Sequence, residues 1–371
     1  MAPDRTSVQS GSEQPSHDAI DNGNPAVFKP KYFVLDDINI DLLTVIATLL
    51  SVLSFFTSYI SSTKTIAVAT AIILPLRVFF PRPTDPEGLV LITGGSGGIG
   101  AELSYIFANH GNDLVLVGRN EEQLENVKRN VEQKYKQKVY TITADLSLPG
   151  SAQKLYDNVT SKGLEVSVLV NNAGLGAAGD TLEQPIDIAE RMTTLNCITV
   201  VQLSQLFGRD MARRGKGWML QVSSVGGWMA SPHHNIYHAT KHFVRAFSES
   251  LSLELRAYPG VVNTQIMPGP TQTQWPTRAD AEETVMFGMP GGQNDPKQVA
   301  LAAYEGLRKR KRMVFSSWDD AISSVFMQLA PRSVHLTLAA MANSPTRGLA
   351  RMPEPEKDQG KRGQKLEGRK D

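Results

Sequence analysis

From residue 88 onward, short apolar runs alternate along the chain with longer amphipathic stretches. The runs LVLIT, LVLV and VSVLV are continuously apolar, which is typical of strands that are covered on both faces of a parallel sheet. Regular alternation of strands with helices indicates a parallel sheet joined by right-handed crossovers. We therefore predict one α/β domain over residues 88–318, built on a doubly wound parallel sheet of about seven strands.

The pattern places each predicted element within this domain. Strands are predicted at residues 89–93, 113–117, 138–144, 166–170, 217–223, 262–267 and 313–315. Helices are predicted between them at residues 100–110, 121–136, 151–161, 186–213, 237–256 and 296–309.

A second apolar region precedes the domain. Leu42 to Ile60 is nineteen residues without a charge, and Thr65 to Leu76 is apolar again. A spanning helix needs about 20 apolar residues to cross a hydrocarbon core of about 30 Å. We predict membrane segments within residues 41–80, forming an N-terminal hydrophobic anchor of one span or a hairpin of two. The alternative is a pair of buried helices in a soluble domain.

The composition of the other segments completes the division of the chain. The two ends of the chain are rich in Pro, Gly and polar residues and can bury little apolar surface, which favours disorder. The closely spaced prolines just before the domain favour a stiff connection. We predict a disordered N-terminal tail (1–40), a linker (81–87), an amphipathic helix (319–342) and a disordered C-terminal tail (343–371).

Two features near the end of the domain have alternative interpretations. In the predicted amphipathic helix, Ile322, Val325, Phe326 and Leu329 share one face, and Pro331 interrupts the pattern. The five consecutive cations from residue 308 to 312 are interpreted as an exposed helix end, where cations complement the helix dipole. A contact with anionic lipid or phosphate is the alternative.

Composition and charge exclude several classes of function. The 371 residues include 38 Lys and Arg against 37 Asp and Glu, so the net charge of +1 gives no chain-wide basic field for nucleic acid. The single cysteine, Cys197, excludes an internal disulfide framework and a multi-cysteine zinc site. We expect no nucleic-acid partner and no bound metal.

A glycine-rich turn links the first predicted strand to the first predicted helix. It reads Thr93-Gly94-Gly95-Ser96-Gly97-Gly98-Ile99-Gly100. Glycine permits a tight turn and a close approach of a diphosphate, and the first N–H groups of the helix face the phosphates. The turn therefore predicts a dinucleotide cofactor.

Further motifs follow this turn in register, namely Asp145, the Asn171-Asn172-Ala173-Gly174 block, Asn196, Ser223-Ser224, the Tyr237 and Lys241 pair, Pro268-Gly269, Thr271 and Thr273. Together with the turn, these positions make residues 87–318 resemble the short-chain dehydrogenase/reductase family, which has a Rossmann-type sheet. The resemblance implies a nicotinamide cofactor, oxidoreductase activity and a homodimer through the long helices. The apolar leader and the late amphipathic helix are similar to the membrane-anchored subgroup that acts on steroids, retinoids and 3-oxoacyl chains.

The resemblance implies two sets of site residues. The catalytic set is Asn196, Ser224, Tyr237 and Lys241, with Asn196 holding a water that links Lys241 to solvent. The cofactor-binding set, which the turn and the second strand also support, is Thr93, Gly94, Ser96, Gly98, Ile99, Gly100, Arg119, Asp145, Asn172, Tyr237, Lys241, Pro268, Gly269, Thr271 and Thr273.

The chemistry of ketone reduction explains the catalytic residue types. A ketone accepts a hydride readily only when its oxygen receives a proton, and a tyrosine hydroxyl, with a pKa near 10, can donate it. Tyr237 and Lys241 are four apart on one helix and share a face, so the cation is expected to lower the tyrosine pKa. Ser224 is expected to hydrogen-bond the substrate oxygen, with Ser223 as the alternative. The nearby histidines are interpreted as pocket or surface residues, namely His233, His234, His238 and His242.

The end of the second strand indicates which nicotinamide cofactor is used. NAD-specific sites place an acidic residue about 20 positions after the glycines, where it bonds the ribose 2′-hydroxyl. Here Gly118, Arg119 and Asn120 end the strand, and no carboxylate occurs until Glu121. The planar donors of an arginine suit a 2′-phosphate, so we predict NADP(H), with a merely solvated Arg119 as the alternative. The NADPH pool of the cytosol then favours reduction.

The combined prediction is a membrane-associated, NADP(H)-dependent oxidoreductase that interconverts a ketone and a secondary alcohol. Its catalytic domain should face the cytosol, with the endoplasmic reticulum as the expected membrane in a eukaryote. The long loop at 270–295 contains Trp275, Met286, Phe287 and Met289, which predicts an apolar lid over a lipophilic substrate. That substrate stays open among steroid, 3-oxoacyl, retinoid and secondary-metabolite types. A non-catalytic cofactor-bound scaffold and a membrane-surface structural protein are the alternatives.

Overall fold

The structure is a computed structural model, which describes residues 83–273 and 293–343. The chain divides into the units Met1–Leu74 and Pro75–Asp371, and every described residue belongs to the second. The predicted tails (apart from Asn343), the membrane segments and the four apolar lid residues lie outside the described ranges. Among the helices of residues 83–273 and 293–343, none is long and apolar enough to cross a membrane.

The described residues contain one parallel sheet of seven strands, in the order β3-β2-β1-β4-β5-β6-β7. The chain crosses from β3 at one edge to β4 beside β1, which makes a switch point between β1 and β4, where such sheets bind ligands. The predicted doubly wound sheet is therefore confirmed. The strands are β1 Leu89–Thr93, β2 Leu114–Gly118, β3 Val139–Thr143, β4 Val166–Asn171, β5 Gly217–Val222, β6 Val261–Met267 and β7 Met313–Phe315.

Helices connect these strands and cover the sheet. They are α1 Gly98–Asn109, α2 Glu121–Tyr135, α3 Ser151–Ser161, α4 Ile186–Thr193, α5 Val200–Arg214, α6 Asn235–Glu254, α7 Pro296–Arg308, α8 Trp318–Leu329 and α9 Arg332–Asn343.

Both faces of the sheet are buried, which is why the strands are continuously apolar. Along β1, Val90 and Ile92 point into one core cluster with Phe107 of α1, whereas Leu91 points into the other with Phe207 of α5. All five side chains are almost fully buried. Burial of each such side chain contributes about 1.5–3 kcal/mol, so the two cores fix the sheet between its helix layers.

One predicted helix is interrupted. The pattern predicts a single helix over residues 186–213, but a π-helical turn, Thr194–Thr199, separates α4 from α5. Such turns insert a residue into a helix and are frequent at functional sites. Here the turn carries Asn196 and Cys197, both of which are buried.

The predicted amphipathic helix is two helices. α8 and α9 are separated at Ala330 and Pro331, because proline supplies no N–H for a continuing helix. The four apolar residues predicted to share a face are all exposed on α8, with Leu329 at 80%. The face therefore exists, on a helix shorter than the pattern predicts.

The described part of the linker is held against the domain. The Thr84 N–H donates to the Arg308 carbonyl at 3.1 Å, and the Arg308 guanidinium lies 2.8 Å from the Asp85 carboxylate. Arg308 and Lys309 also pair with Glu305 of α7 at 2.9 and 2.8 Å. Arg308 and Lys309, the first two of the five consecutive cations, thus form ion pairs within the domain.

Candidate functional site

A cavity of about 240 Å³ lies where β1, β4, β5 and β6 end. The carboxyl ends of parallel strands meet at one edge, and the turns that follow them form the walls. Of the predicted site residues, those that line this cavity are Gly94, Ser96, Gly98, Ile99, Arg119, Asn172, Ser224, Tyr237, Lys241, Pro268, Gly269, Thr271 and Thr273. Thr93, Gly100, Asp145 and Asn196 are not part of its lining.

The glycine-rich turn needs its glycines for two different reasons. Gly94 and Gly98 have φ angles of 68° and 54°, in the left-handed region that favours glycine. Gly100 has no such angle, but a Cβ there would overlap the Gly94 carbonyl oxygen and lie 2.6 Å from Nδ2 of Asn172. Gly100 therefore allows α1 to pack against the turn.

We expect Gly100→Ala to destabilise the protein by about 1–3 kcal/mol, because the added methyl group meets backbone that cannot move aside. Urea denaturation would measure the loss. Gly97→Ala is the matched control: its φ of −180° is extended, and nothing lies within 4 Å of a Cβ there. Equal stability of Gly100→Ala and Gly97→Ala would contradict the packing argument.

Thr93 and Asn172 join β1 to β4 below the cavity. The Thr93 hydroxyl donates to the Val170 carbonyl at 3.2 Å and accepts the N–H groups of Asn172 and Ala173, each at 3.0 Å. In return, the Asn172 amide donates to the Thr93 carbonyl at 2.9 Å and the Gly94 carbonyl at 3.2 Å. Thr93 is buried, so its hydroxyl holds the glycine-rich turn in place from beneath.

The two adjacent serines after β5 have different surroundings. The Ser223 hydroxyl is buried and donates to the Lys241 carbonyl at 3.2 Å. Ser224 faces the cavity, accepts the Gly226 N–H at 3.0 Å and forms a hydrogen bond with the Tyr237 hydroxyl. Ser224 is therefore the serine that the fold brings to Tyr237.

Tyr237 and Lys241 lie side by side on α6. The Lys241 ammonium is 5.7 Å from the centre of the Tyr237 ring and donates to the Val222 carbonyl at 2.9 Å. Tyr237 is partly exposed to the cavity, whereas Lys241 is buried. The i and i+4 spacing thus places both groups beside the end of β5.

The pKa values differ from the sequence expectation. Burial raises the pKa of Tyr237 to about 12, and the hydrogen bond with Ser224 opposes this only in part. Burial also lowers the pKa of Lys241 to about 8. The pKa of Tyr237 in the protein thus lies above its usual value and not below it as expected, because desolvation outweighs the stabilisation of the phenolate. Tyr237 therefore carries its proton at neutral pH.

The Asn196 side chain forms hydrogen bonds with the backbone of Leu175, a residue of the cavity lining. Its carbonyl oxygen accepts the Leu175 N–H at 2.9 Å, and its amide donates to the Leu175 carbonyl at 2.8 Å and the Thr240 hydroxyl at 3.0 Å. A Cβ on Gly174 would lie 3.7 Å from Asn196 Oδ1 and 3.8 Å from Lys241 Nζ. Asn196 and Lys241 thus flank the same point of the chain.

Asp145 is held by an arginine that sequence reasoning missed. Arg191 of α4 lies 3.0 Å from the Asp145 carboxylate and donates to the Ser147 hydroxyl at 3.1 Å. Burial alone would raise the pKa of Asp145, but hydrogen bonds from Ser147 and the charges of Arg119 and Arg191 outweigh it and lower the pKa. No short-range sequence signal links residue 191 to residue 145, because only the fold brings them together.

Several other lining residues were not predicted. Leu175, Val225 and Met229 are apolar residues of the cavity lining. His238, which the sequence analysis interprets as a pocket or surface residue, also lines the cavity. Burial lowers the pKa of His238 to about 4, so its ring is neutral at physiological pH. His238 Nδ1 lies 2.8 Å from the Met229 carbonyl, an acceptor, and must carry the ring proton there.

The comparisons with known proteins identify the family. A sequence profile described as "short chain dehydrogenase" matches residues 88–284, more than half of the 371-residue chain. The human protein "Dehydrogenase/reductase SDR family member 7" is 32% identical over 191 residues, which cover 50% of this chain and 56% of that protein. The human "Very-long-chain 3-oxoacyl-CoA reductase" is 32% identical over 184 residues, covering 48% and 57%. The chain thus spans little more than half the length of these curated relatives.

Solved structures agree with this result. A short-chain dehydrogenase from Sphingobium yanoikuyae in complex with NADPH is 27% identical, with a TM-score of 0.58 over 67% of this chain and 98% of that one. An alcohol dehydrogenase from the archaeon Thermococcus sibiricus complexed with 5-hydroxy-NADP is 25% identical, with a TM-score of 0.54 over 62% and 96%. The profile match, the relatives and the sheet order lead to one conclusion: the chain belongs to the short-chain dehydrogenase family.

Proposed function

We propose that the protein is an NADP(H)-dependent oxidoreductase that interconverts a ketone and a secondary alcohol on a lipophilic substrate. The observation that carries this proposal is the meeting of Ser224, Tyr237 and Lys241 in one cavity with the glycine-rich turn. The test is to incubate the purified full chain with NADPH and a panel of lipophilic ketones, and to follow the loss of NADPH absorbance. If no ketone were reduced with either NADPH or NADH, the alternative of a non-catalytic cofactor-bound scaffold would be favoured.

The residues of the cavity fit a dinucleotide. Side chains at Gly94 and Gly98 would be strained and would meet Asn172 and Thr273, so the turn presents bare backbone to the cavity. No side chain among the described residues caps the N-terminus of α1, and its first turn has no acidic residue. Its first N–H groups are thus available to a diphosphate, which the helix dipole also favours.

The proposed mechanism assigns a proton transfer to Tyr237. A nicotinamide cofactor, when bound, supplies the hydride for reduction or accepts it in oxidation. The protonated Tyr237 hydroxyl donates its proton to the ketone oxygen, so hydride on carbon and proton on oxygen complete the alcohol. Ser224 shares a hydrogen bond with that hydroxyl and orients the same oxygen.

Lys241 stabilises the tyrosinate that remains. Its pKa near 8 leaves it mostly protonated at neutral pH, and it lies 5.7 Å from the Tyr237 ring centre. A cation at this distance, in surroundings of low dielectric constant, stabilises the phenolate as it forms. Asn196 contributes by holding the Leu175 backbone beside Lys241.

The preference for NADP(H) rests on the end of β2. Arg119 is exposed and lines the cavity, whereas the side chain of Asn120 is used to cap α2, accepting the Gln123 N–H at 2.9 Å. A Cβ on Gly118 would lie 3.3 Å from the Ser96 hydroxyl, so the strand end passes close to the glycine-rich turn. An arginine in this place offers donors to a 2′-phosphate.

The substrate class follows from the apolar walls and the relatives. Leu175, Val225 and Met229 line the same cavity as Tyr237, and such surfaces favour apolar ligands. One relative bears the name very-long-chain 3-oxoacyl-CoA reductase. We place this protein's substrate among lipophilic ketones of that general kind, with reduction as the favoured direction and a homodimer as the expected assembly.

We expect the full-length protein to sediment with membranes through residues 41–80, with the catalytic domain on the cytosolic side. The uncharged Leu42–Ile60 run motivates this. A charged residue at a bilayer centre costs about 2.5–3.5 kcal/mol, so Leu50→Lys with Leu53→Lys should release part of the protein.

Fractionation of cell lysates measures this sedimentation, and release of the wild type into the supernatant would contradict the anchor. The sequon Asn158-Val159-Thr160 reports the topology, since Asn158 is exposed on α3. Glycosylation of Asn158 in cells would place the domain in the lumen and overturn the proposed orientation.

A further inference from the structure

A buried hydrogen-bond network connects α8 to the wall of the cavity. The Asp320 carboxylate, in the first turn of α8, accepts the Ser316 hydroxyl and, at 2.9 Å, the Asn294 amide. Ser316 in turn accepts the Asn294 amide at 3.2 Å and the Gly269 N–H at 3.4 Å. Asp320 and Ser316 are both buried, which makes these bonds stronger and their loss more costly.

The network joins the two described stretches of chain on either side of residues 274–292. The Asn294 N–H donates to the Pro270 carbonyl at 2.7 Å, and the Asn294 carbonyl accepts the Gln272 N–H at 3.0 Å. Asn294 therefore pairs with the residues on either side of Thr271. The Asn294 side chain is fixed by Asp320, so one carboxylate orients the residue that joins these two stretches.

The held segment is the wall that faces the glycine-rich turn. Gly269, Pro270, Thr271 and Thr273 all line the cavity. A Cβ on Gly98 would lie 3.0 Å from Cγ2 of Thr273, so the wall comes into contact range of that turn. A Cβ on Gly269 would overlap Oδ1 of Asp320, which shows how closely the carboxylate supports the segment from behind.

We propose that Asp320 is a positioning residue for the cofactor, acting through Ser316 and Asn294 on the segment Pro268–Thr271. It does not line the cavity, so its effect passes through the backbone it supports. The inference rests on the proposed function, because it takes the cavity to be the cofactor site. It also gives a role in shaping this site to Asp320, which lies beyond the end of the predicted catalytic domain at residue 318.

The test compares Asp320→Ala with Asp320→Asn in the full chain, with NADPH as the probe. Both donors reach the same oxygen, Oδ2, so the carbonyl of an asparagine can accept both, whereas alanine accepts neither. We expect Asp320→Ala to weaken NADPH binding at least ~10-fold, as loss of hydrogen bonds to a charged group predicts, and Asp320→Asn to recover most of the affinity. Asp319→Asn, exposed on the same turn, is the matched control.

Three properties of each variant are measured: the Kd for NADPH by fluorescence titration, KM for NADPH and kcat as separate values, and the Tm. If Asp320→Ala lowers Tm while Kd and KM equal those of the wild type, the role is structural and the inference is overturned. If Asp320→Ala does not fold, Ser316→Ala decides by the same readouts, since it removes the hydroxyl between Gly269 and Asp320. A wild type that binds neither NADPH nor NADH would refute the proposed function itself.

Discussion

Tyr237→Phe is expected to reduce the rate of ketone reduction at least ~100-fold, the low end of what general acid catalysis supplies. The change removes one oxygen, and with it the only proton that this side chain can donate. Lys241 would then have no phenolate to stabilise, and Ser224 would lose its hydrogen-bond partner on α6. The measurement is kcat under saturating NADPH and ketone.

Binding measurements separate this loss from misfolding. The Kd for NADPH should stay within a few-fold of the wild type, because the glycine-rich turn and Arg119 are unchanged. Tyr258→Phe is the matched control, since Tyr258 is 48% exposed and does not line the cavity. Turnover near the wild-type rate by a folded Tyr237→Phe protein would remove Tyr237 from the mechanism.

Arg119→Asp is expected to lower kcat/KM for NADPH by roughly 10- to 100-fold, in line with the loss of charge-assisted hydrogen bonds to a phosphate. An aspartate would repel the 2′-phosphate and would accept from a 2′-hydroxyl, so kcat/KM for NADH should hold or rise. Asp145 lies within electrostatic range of Arg119, so the new carboxylate would also add to the negative charge there.

The measurement is kcat/KM for both cofactors in the wild type and the variant. Arg209→Asp provides the control for the charge change, because Arg209 is exposed on α5 and does not line the cavity. Equal use of NADPH and NADH by the wild type would refute the assignment of Arg119. So would an unchanged preference for NADPH after the charge reversal.

Local patterns carried much of the information about the fold. Alternate residues of β1 enter opposite cores, and that requirement makes the whole strand apolar and recognisable. Tyr237 and Lys241 were paired by a helical spacing of four, which is also local. The hydrophobic pattern did not indicate the π-helical turn that carries Asn196, because one extra residue in a helix hardly disturbs its periodicity.

The pKa of Tyr237 shows where reasoning from residue types alone was insufficient. Spacing brings Lys241 near, and proximity to a cation lowers a tyrosine pKa. The sequence contains no measure of desolvation, and in the folded protein desolvation is the larger effect on both groups. Ser223 and Ser224 could likewise be separated only by which carbonyls and hydroxyls the fold brought to each.

The sequence by itself determined the class of fold, the order of its elements and the residues that resemble those of a known family. These depend on periodicity and short spacings, which are properties of neighbours along the chain. Tertiary structure alone decided that Arg191 pairs with Asp145 and that Asp320 supports Gly269. Such contacts join residues about fifty apart in the chain, and only packing of the helices on the sheet brings them within hydrogen-bonding distance.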